Sequence, residues 1–535
     1  MHGAILAGVL VASMAYKVEC RSSSSMVHDF DRIKPSADLT WTPCFDNFTC
    51  TRLQVPLDYE DKSRGMTSIG FIKLAGKNAT TESQSIVIIP GGPGGSGVEI
   101  LTGAQDGLGQ ILGESYNFVS FDPRGVGASG PKIDCFSGNK KAREAFARLH
   151  YSSTTNTSST SLAEQYYSGS IYGEWCNNAV KHNSSDGYYV STPAVAHDLL
   201  TFVEAEAKMK GKSPSKAKFW GYAISYGTVI GTTFASMFPE RVERMALESV
   251  LNTDWYYSND WESGLVDADK VVESFSTFCH AAGPQKCSFW GKTPANITAR
   301  LDGFIKQLQS HPVPISGIQG KTMPTMVTYS DIKALLAKAV YEPLANFPSM
   351  ADVLHQLEGG NATGLVGTFD SLSSFTDDGV VTRCVDSYGE NKFATLDGAK
   401  STVQCGVSRS KYLGDVFPIY SRSFMCTSVK PKLPKSMMIQ GQVGKPNKKT
   451  FFPILFTGNT LDPVAPVVSA KIMSSRFPGS KVLLQEAVGH IVILQSGSRC
   501  YFEHLQAYFQ GVMPPSNITC SQEAFPFIDK PLIQF

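Results

Sequence analysis

One feature of this sequence limits the possible folds more than any other. It is a short apolar run followed by a turn of small residues and then by a helical pattern. The run is Lys218-Phe-Trp-Gly-Tyr-Ala-Ile-Ser225, and Tyr226-Gly-Thr-Val-Ile-Gly231 follows it. A serine raised on a sharp strand-to-helix turn needs small residues two positions before and after it, because the backbone there is crowded. Ala223 and Gly227 occupy those positions. The pattern therefore predicts that Ser225 lies at the end of a strand and acts as a nucleophile.

Buried-strand patterns recur before and after Ser225 and alternate with helical patterns. These patterns are Ser85–Ile89, Asn117–Phe121, Lys218–Ile224, Val242–Val250, Phe452–Gly458 and Lys481–Gln485. Strands that alternate with helices indicate an α/β protein with a mostly parallel central sheet and helices on both faces.

The alternation of strand and helix patterns stops in the middle of the chain, where helical patterns such as Asp331–Tyr341 replace strand-like runs. This change predicts a mainly helical cap over residues 251–435, inserted into the core. The core is then formed by residues 21–250 and 436–535, and residues 1–20 precede it as a signal peptide.

A serine hydroxyl is a weak nucleophile at neutral pH, so acyl transfer needs a base and an acid that orients the base. Asp462 follows the strand pattern that ends at Gly458, and His490 follows the next strand. The carboxyl ends of parallel strands meet at one rim of a sheet, which places both side chains near Ser225. We therefore predict a catalytic triad of Ser225, Asp462 and His490.

The glycine-rich loop Pro90–Gly97 follows a predicted strand. Backbone N–H groups in such a loop can stabilise a developing oxyanion, so we predict that Gly92 and Tyr226 supply the two donors. A tight turn without a ligand is the structural alternative. A phosphate cradle does not fit, because the loop lacks the Gly-x-x-x-x-Gly-Lys-Ser/Thr signature. Arg124, in the loop Asp122–Ser129, is interpreted as a structural residue that pairs with a carboxylate.

Several features predict export. An apolar segment, Gly3–Ala15, is too short to span a bilayer and resembles a secretory signal, although a buried N-terminal element is the alternative. The chain has seven glycosylation sequons, at Asn47, Asn78, Asn156, Asn183, Asn296, Asn361 and Asn517. We therefore predict a secreted glycoprotein, or a vacuolar one, that does not span a membrane.

Twelve cysteines are present without a Cys-x-x-Cys pair, so we predict disulfides and no metal site or cofactor. Short loops favour the pairs Cys44–Cys50, Cys279–Cys287 and Cys500–Cys520. The 48 basic and 47 acidic residues give a formal charge of +1, which provides no electrostatic reason to expect a nucleic-acid partner.

Taken together, five spaced motifs resemble the α/β-hydrolase family of tripeptidyl aminopeptidases, including its fungal secreted members. The motifs are Gly91–Gly97, Phe121–Gly127, Ser225–Thr228, Thr460–Val464 and Gly489–His490. The segment Phe452–Cys520 resembles the C-terminal domain of that family, and Asp386 matches a pattern within its cap. The resemblance implies the α/β-hydrolase fold, the same triad, and an exopeptidase that removes short peptides from free N-termini.

The turn at Ser225 departs from the family pattern. Ala223 replaces the usual first glycine, and two more residues than usual separate Gly221 from Ser225. An aminopeptidase also needs a carboxylate for the substrate ammonium, and Glu99 and Glu248 are candidates by position. For each of them, an ordinary structural glutamate is the competing interpretation.

Three hypotheses for function remain open at this point. The first is a secreted serine exopeptidase that forms an acyl-enzyme on Ser225. The second is an esterase or lactonase that acts on small-molecule esters with the same triad. The third is a catalytically impaired homologue with an altered turn. An acidic patch facing the triad favours a peptidase, whereas a wholly apolar pocket favours an ester substrate.

Overall fold

The structure is a computed structural model that describes residues 26–150, 153–183, 187–317, 323–389, 393–445, 448–516 and 518–533. The predicted signal peptide, residues 1–20, lies outside these ranges. Among the described residues, no helix combines the length and the apolar character needed to cross a membrane.

Ten strands of the described chain form one sheet, and two more form a separate hairpin. The strands are β1 Thr42–Cys44, β2 Phe48–Pro56, β3 Met66–Ala75, β4 Ser85–Ile89, β5 Asn117–Phe121, β6 Phe219–Ile224, β7 Val242–Glu248, β8 Val313–Ile315, β9 Thr325–Val327, β10 Leu455–Leu461, β11 Lys481–Val488 and β12 Ile518–Cys520. The large sheet has the order β1-β2-β3-β5-β4-β6-β7-β10-β11-β12, and β8 pairs with β9. Its strands are parallel from β5 to β12 and antiparallel from β1 to β5.

Helices cover both faces of this sheet, as predicted. The helices are α1 Gly97–Gly103, α2 Leu108–Leu112, α3 Lys140–His150, α4 Ser161–Asn183, α5 Thr192–Met209, α6 Gly227–Met237, α7 Thr253–Tyr257, α8 Ala268–Ala282, α9 Pro294–Ser310, α10 Tyr329–Ala339, α11 Pro343–Glu358, α12 Thr368–Ser373, α13 Asp377–Asp386, α14 Leu396–Arg409, α15 Phe417–Tyr420, α16 Val467–Ser475 and α17 Arg499–Phe509.

Alternation along the central strands explains the two layers. In β4, Val87 and Ile89 face the layer of α5, α6 and α16, whereas Ile86 and Ile88 face α1, α2 and α17. Successive side chains of a strand point to opposite faces, so a strand buried on both sides must be apolar throughout. All five residues of β4 are buried. The Ser85 hydroxyl donates to Glu206, and the apolar run at 86–89 is the sequence signature of a central parallel strand.

The helices between β7 and β10 pack on one another in a cluster of their own, which includes Val271, Ile332 and Phe347. Helices α3 and α4 join this side of the molecule, although they come before Ser225 in the chain. Phe146 of α3 and Tyr172 of α4 are buried against Val380 and Val381 of α13. We propose that the cap comprises residues 251–435 together with α3 and α4, which the sequence analysis assigned to the core.

Five disulfides connect described cysteines. The pairs Cys44–Cys50, Cys279–Cys287 and Cys500–Cys520 are confirmed. Cys135–Cys176 and Cys384–Cys426 were not predicted, because 41 and 42 residues separate their partners in sequence. Both of these longer links lie in the cluster that joins α4 to α13. Cys135–Cys176 links the loop before α3 to α4, and Cys384–Cys426 links α13 to the segment after α15, so each disulfide lies within one of the two chain segments that pack together in this cluster.

The sequons can be compared with the surface of the structure. Five of their asparagines are exposed: Asn47, Asn78, Asn156, Asn296 and Asn361. The side chains of Asn183 and Asn517 lie outside the described residues. Exposure is a requirement for glycan attachment, so the five exposed asparagines remain candidate sites.

Candidate active site

The predicted sharp turn is present at Ser225. Strand β6 ends at Ile224, α6 begins at Gly227, and Ser225 has a φ of 54°, in the left-handed region. Its N–H donates to the Glu248 carbonyl at 3.0 Å, and its carbonyl accepts from the Thr228 N–H at 2.8 Å. A non-glycine residue adopts this conformation only where its surroundings enforce it. These two bonds, one to each side of the residue, hold Ser225 above the sheet.

The two small positions flanking Ser225 are not equally demanding. A Cβ at Gly227 would come within 2.5 Å of the Ile89 carbonyl oxygen, which leaves no space for a side chain. Ala223 is fully buried in β6, and its methyl lies 3.8 Å from the position of a Cβ built on Gly231. The methyl that departs from the family pattern therefore occupies ordinary van der Waals space beside a glycine of α6.

This difference predicts opposite results for two one-methyl changes. Ala223→Gly should leave hydrolysis within about threefold of the parent, because the turn already forms around the methyl. Gly227→Ala should reduce hydrolysis by about 100-fold or more, since the new methyl must displace the loop after β4. Kinetics on one fluorogenic substrate would compare the two variants. Loss of activity in Ala223→Gly alone would contradict this account of the turn.

His490 connects Ser225 to Asp462. Its Nε2 lies 2.8 Å from Ser225 Oγ, and its Nδ1 lies 2.8 Å from Asp462 Oδ2. Asp462 Oδ1 accepts from the N–H groups of Val464 and Ala465 at 2.9 and 2.8 Å. Asp462 and His490 are almost fully buried, and Ser225 is 8% exposed. The structure thus brings together the three side chains predicted from separate strands.

Residues between α10 and α11 help to hold His490. The His490 N–H donates to the Tyr341 carbonyl at 2.8 Å, and the Tyr341 ring packs edge-on against the imidazole at 4.9 Å between centroids. Gly489 has a φ of 112°, and a Cβ there would lie 2.4 Å from Pro343 Cδ. Glycine before His490 is therefore required both by its conformation and by the close approach of the chain before α11.

Gly92, one of the two predicted oxyanion donors, lines a cavity beside Ser225, and Tyr226, the other, follows Ser225 in the chain. Gly92 has a φ of 117°, and a Cβ there would lie 2.7 Å from the backbone nitrogens of Gly94 and Gly95. Within the described residues, neither the Gly92 N–H nor the Tyr226 N–H donates a hydrogen bond. Unpaired N–H groups beside a nucleophile are what an oxyanion requires. The assignment of both donors remains a prediction.

A buried hydrogen-bond network holds the side chain of Tyr226 through its hydroxyl. The Thr192 hydroxyl accepts from the Tyr226 hydroxyl at 2.8 Å and donates to Asp386 at 2.6 Å. The Tyr256 hydroxyl and the Thr192 N–H also donate to Asp386, each at 2.8 Å. Asp386 belongs to α13, so this helix is tied to the residue that follows the nucleophile. Only the family resemblance singled out Asp386 in the sequence.

The pH dependence of stability should report this network. Burial raises the pKa of Asp386 from 3.8 to about 6, so the folded protein binds the proton more tightly than the unfolded chain. Between pH 4 and 6, this group therefore lowers the free energy of unfolding as pH rises. Asp386→Asn should remove that contribution. Denaturant unfolding of both proteins at several pH values in this window measures it, and parallel curves would contradict the prediction.

The two glutamates considered for the substrate ammonium lie elsewhere. Glu248 is completely buried in the sheet, where Tyr222, Tyr501 and the Ile493 N–H all donate to its carboxylate. Burial raises the pKa of Glu248. Glu99 is exposed in the first turn of α1. Neither lines the cavity at Ser225, so the structure does not bring these two candidates to the site.

The cavity has a volume of about 340 Å³, within the range of small-molecule sites. Its lining residues come from the glycine loop, the segments after β7 and β10, and the cap: Gly92, Pro93, Ser225, Leu251, Trp261, Tyr341, Ser374, Phe375, Thr376, Gly379, Val380, Arg383, Tyr420, Ser421, Arg422 and Val464. None of these is an aspartate or glutamate, and two are arginines. The cavity therefore matches neither the acidic nor the wholly apolar alternative.

Sequence reasoning missed both arginines. Arg383 lies in α13 next to Cys384, within the short segment that resembles the family cap. A basic residue inside an apolar helix, beside a cysteine, was the available signal. A larger cavity, of about 500 Å³, is lined by His197 and Lys435 and by none of the predicted site residues.

Comparison with known proteins agrees with this geometry. The family described as alpha/beta hydrolase fold matches residues 84–302, and the family described as TAP-like protein matches residues 421–520. The sheet order, the turn at Ser225 and these matches together show that the chain has the α/β-hydrolase fold.

Relatives that match most of the chain indicate which hydrolases of this fold it is related to. The serine protease Hip1 of Mycobacterium tuberculosis is 26% identical over 506 residues, covering 90% of each chain. The tripeptidyl aminopeptidase of Streptomyces lividans is 22% identical over 521 residues, covering 92% of this chain and 88% of that protein. The chain is therefore related to serine proteases of this fold. These relatives are bacterial, and the likeness to fungal members stays a prediction.

Proposed function

We propose that the protein is a serine hydrolase in which Ser225 is the nucleophile, His490 the general base and Asp462 the residue that orients the base. One observation carries this proposal: an unbroken chain of hydrogen bonds from Asp462 through His490 to Ser225, which lines a cavity. Such a chain activates a hydroxyl that is otherwise a weak nucleophile at neutral pH.

The reaction follows from the positions of these groups. His490 Nε2 accepts the hydroxyl proton as Ser225 Oγ attacks the substrate carbonyl carbon, and the carbonyl oxygen becomes an oxyanion beside the N–H groups of Gly92 and Tyr226. The imidazolium then protonates the leaving group, and the acyl group stays on Ser225. Water, deprotonated by His490, hydrolyses the ester. Asp462 holds the imidazole and stabilises its positive charge throughout.

We propose further that the acyl group is a short peptide with a free N-terminus, so that the protein is an exopeptidase. The cap closes over the cavity, and a volume of about 340 Å³ suits a few residues rather than a folded protein. The names of the relatives support the same class. Disulfides and exposed sequons support export to an oxidising compartment.

Ester hydrolysis is the second candidate, because the same triad acts on either acyl bond. The aromatic and apolar part of the cavity, including Trp261, Phe375 and Tyr420, favours it. The impaired-homologue hypothesis has less support, since the turn at Ser225 accommodates Ala223 and the three side chains are within hydrogen-bonding distance.

A fluorophosphonate probe tests the nucleophile separately from the substrate. We expect stoichiometric labelling of the folded protein at Ser225, identified by mass spectrometry, and no labelling after heat denaturation. A panel of aminoacyl, tripeptidyl and short-chain ester fluorogenic substrates would then define the acyl group. Absence of labelling would overturn the hydrolase proposal, and hydrolysis of esters alone would overturn the exopeptidase assignment.

A further inference from the structure

Arg383 is a buried cation in the cavity wall, and no ionic partner for it lies within the described part of the chain. It is 8% exposed, and its Nε is among the buried side-chain atoms that make no hydrogen bond. Among the described residues, no carboxylate pairs with its guanidinium, and no carbonyl accepts from it. Its guanidinium lies over the Trp261 ring in a cation–π contact, with Cζ 4.3 Å from the ring centroid.

Arg124 shows how this chain treats a buried arginine that has only a structural role. Its Nε and Nη2 bind the Asp198 carboxylate at 2.7 and 2.8 Å, and its other donors reach the carbonyls of Pro56, Leu57 and Tyr189. Burying a charge without such partners costs several kcal/mol. The contrast indicates that the partner of Arg383 is a bound ligand, since the described part of the chain provides none.

The surroundings of Arg383 keep it charged and would strengthen a bond to an anion. Burial lowers the pKa of Arg383 to about 10, so it stays a cation at neutral pH. Trp261 covers its plane, and Tyr341 and Tyr420 also line the cavity. Aromatic walls exclude water, which strengthens ionic hydrogen bonds. Arg422, which donates to the carbonyls of Ile419 and Tyr420, adds a second positive charge to the lining.

We propose that Arg383 binds a carboxylate of the substrate while Ser225 attacks its acyl group. This inference rests on the proposed hydrolase function. Both residues line one cavity, so a single ligand can contact both. The two Nη atoms, which unlike Nε are not fully buried, form an edge that matches the two oxygens of a carboxylate. The carboxylate is either an acidic side chain of the substrate or a free C-terminus.

Paired substrates distinguish these two sources. The first pairs are tripeptidyl coumarin amides with glutamate or glutamine at each position in turn, and the second are peptides with free or amidated C-termini. The parent should prefer one charged member by at least tenfold in kcat/KM, mainly through KM. Arg383→Met should abolish that preference, whereas hydrolysis of the neutral member should change by less than about threefold. Arg383→Lys should restore part of the preference.

Arg300 provides a matched control in the same part of the chain. It also lies over an aromatic ring, that of Phe289 at 3.9 Å, but it pairs with Glu358 and does not line the cavity. Arg300→Met should leave the charged-to-neutral ratio unchanged. Fluorophosphonate labelling of Arg383→Met would show that its active site is folded.

A binding measurement separates this inference from the hydrolase proposal. Calorimetric titration of the Ser225→Ala variant with N-acetyl-L-glutamate should show one site, at least tenfold tighter than for N-acetyl-L-glutamine amide, which carries no carboxylate. Adding Arg383→Met should remove that difference even if the protein hydrolyses nothing. The inference is overturned if Arg383→Met changes neither the substrate preference nor the binding, or if inorganic phosphate binds more tightly than the carboxylate.

Discussion

Replacing Ser225 by alanine should lower kcat by about six orders of magnitude on the best substrate, because no acyl-enzyme can form without Oγ. His490→Ala should cost nearly as much, since an unactivated hydroxyl is a poor nucleophile. The double variant should be no worse than either single one, because the two side chains act as a unit. Steady-state kinetics, with active-site titration of the parent, would measure all three.

A second serine provides a control for effects of a serine-to-alanine change that do not come from loss of the nucleophile. Ser408 is exposed on α14, where its hydroxyl donates to the Cys405 carbonyl. Ser408→Ala should retain the parent kcat. If Ser225→Ala kept more than about a thousandth of the activity, a different residue would have to be the nucleophile. Additive losses in the double variant would contradict the hydrogen-bonded unit of Ser225 and His490.

The largest effect on stability is expected at Arg124. Arg124→Met would leave the Asp198 carboxylate buried without its cation and three carbonyls without their donor. Breaking a buried ion pair in this way costs about 3–5 kcal/mol in the free energy of unfolding. Denaturant unfolding would measure this loss.

Removing both charges separates the ion pair from simple packing. The double variant Arg124→Met with Asp198→Asn should recover part of the lost stability, because no unpaired charge remains. Arg499, an exposed residue that pairs with Glu503, offers a surface comparison in which the methionine variant should show no measurable change. Equal losses in the single and double Arg124 variants would mean that the carboxylate charge is not responsible.

The local patterns in the sequence were informative where local physics decides the outcome. Strand β4 was predicted with its observed bounds, Ser85–Ile89, because four consecutive apolar residues at 86–89 are typical of a strand that is buried on both faces. The Ser225 turn was visible because small residues are required on either side of it. The interpretation of Arg124 as a structural residue that pairs with a carboxylate is also confirmed, because its guanidinium binds Asp198.

Long-range relations were not visible in the same way. The disulfide Cys135–Cys176 joins the loop before α3 to α4, and Cys384–Cys426 joins α13 to the segment after α15, so each connects residues that only the folded chain brings together. Glu248 had a suitable position at the end of a strand, but the hydroxyls of Tyr222 and Tyr501 use its carboxylate within the core. The spacing of residues in the sequence does not predict which distant residue will form a hydrogen bond with a buried polar group.

The sequence by itself predicted six of the ten strands of the sheet, the sharp turn and the candidate residues Ser225, Asp462 and His490, because each depends on local residue types in a strand or just after it. The tertiary structure alone decided that these three side chains meet, that Ala223 fits beside Gly231, and that Arg383 lies in the cavity without an ionic partner among the described residues. The physical reason is that burial and ionic pairing depend on neighbours distant in sequence. Helix α13 brings the cation of Arg383 to the cavity at the nucleophile, and no described carboxylate pairs with it.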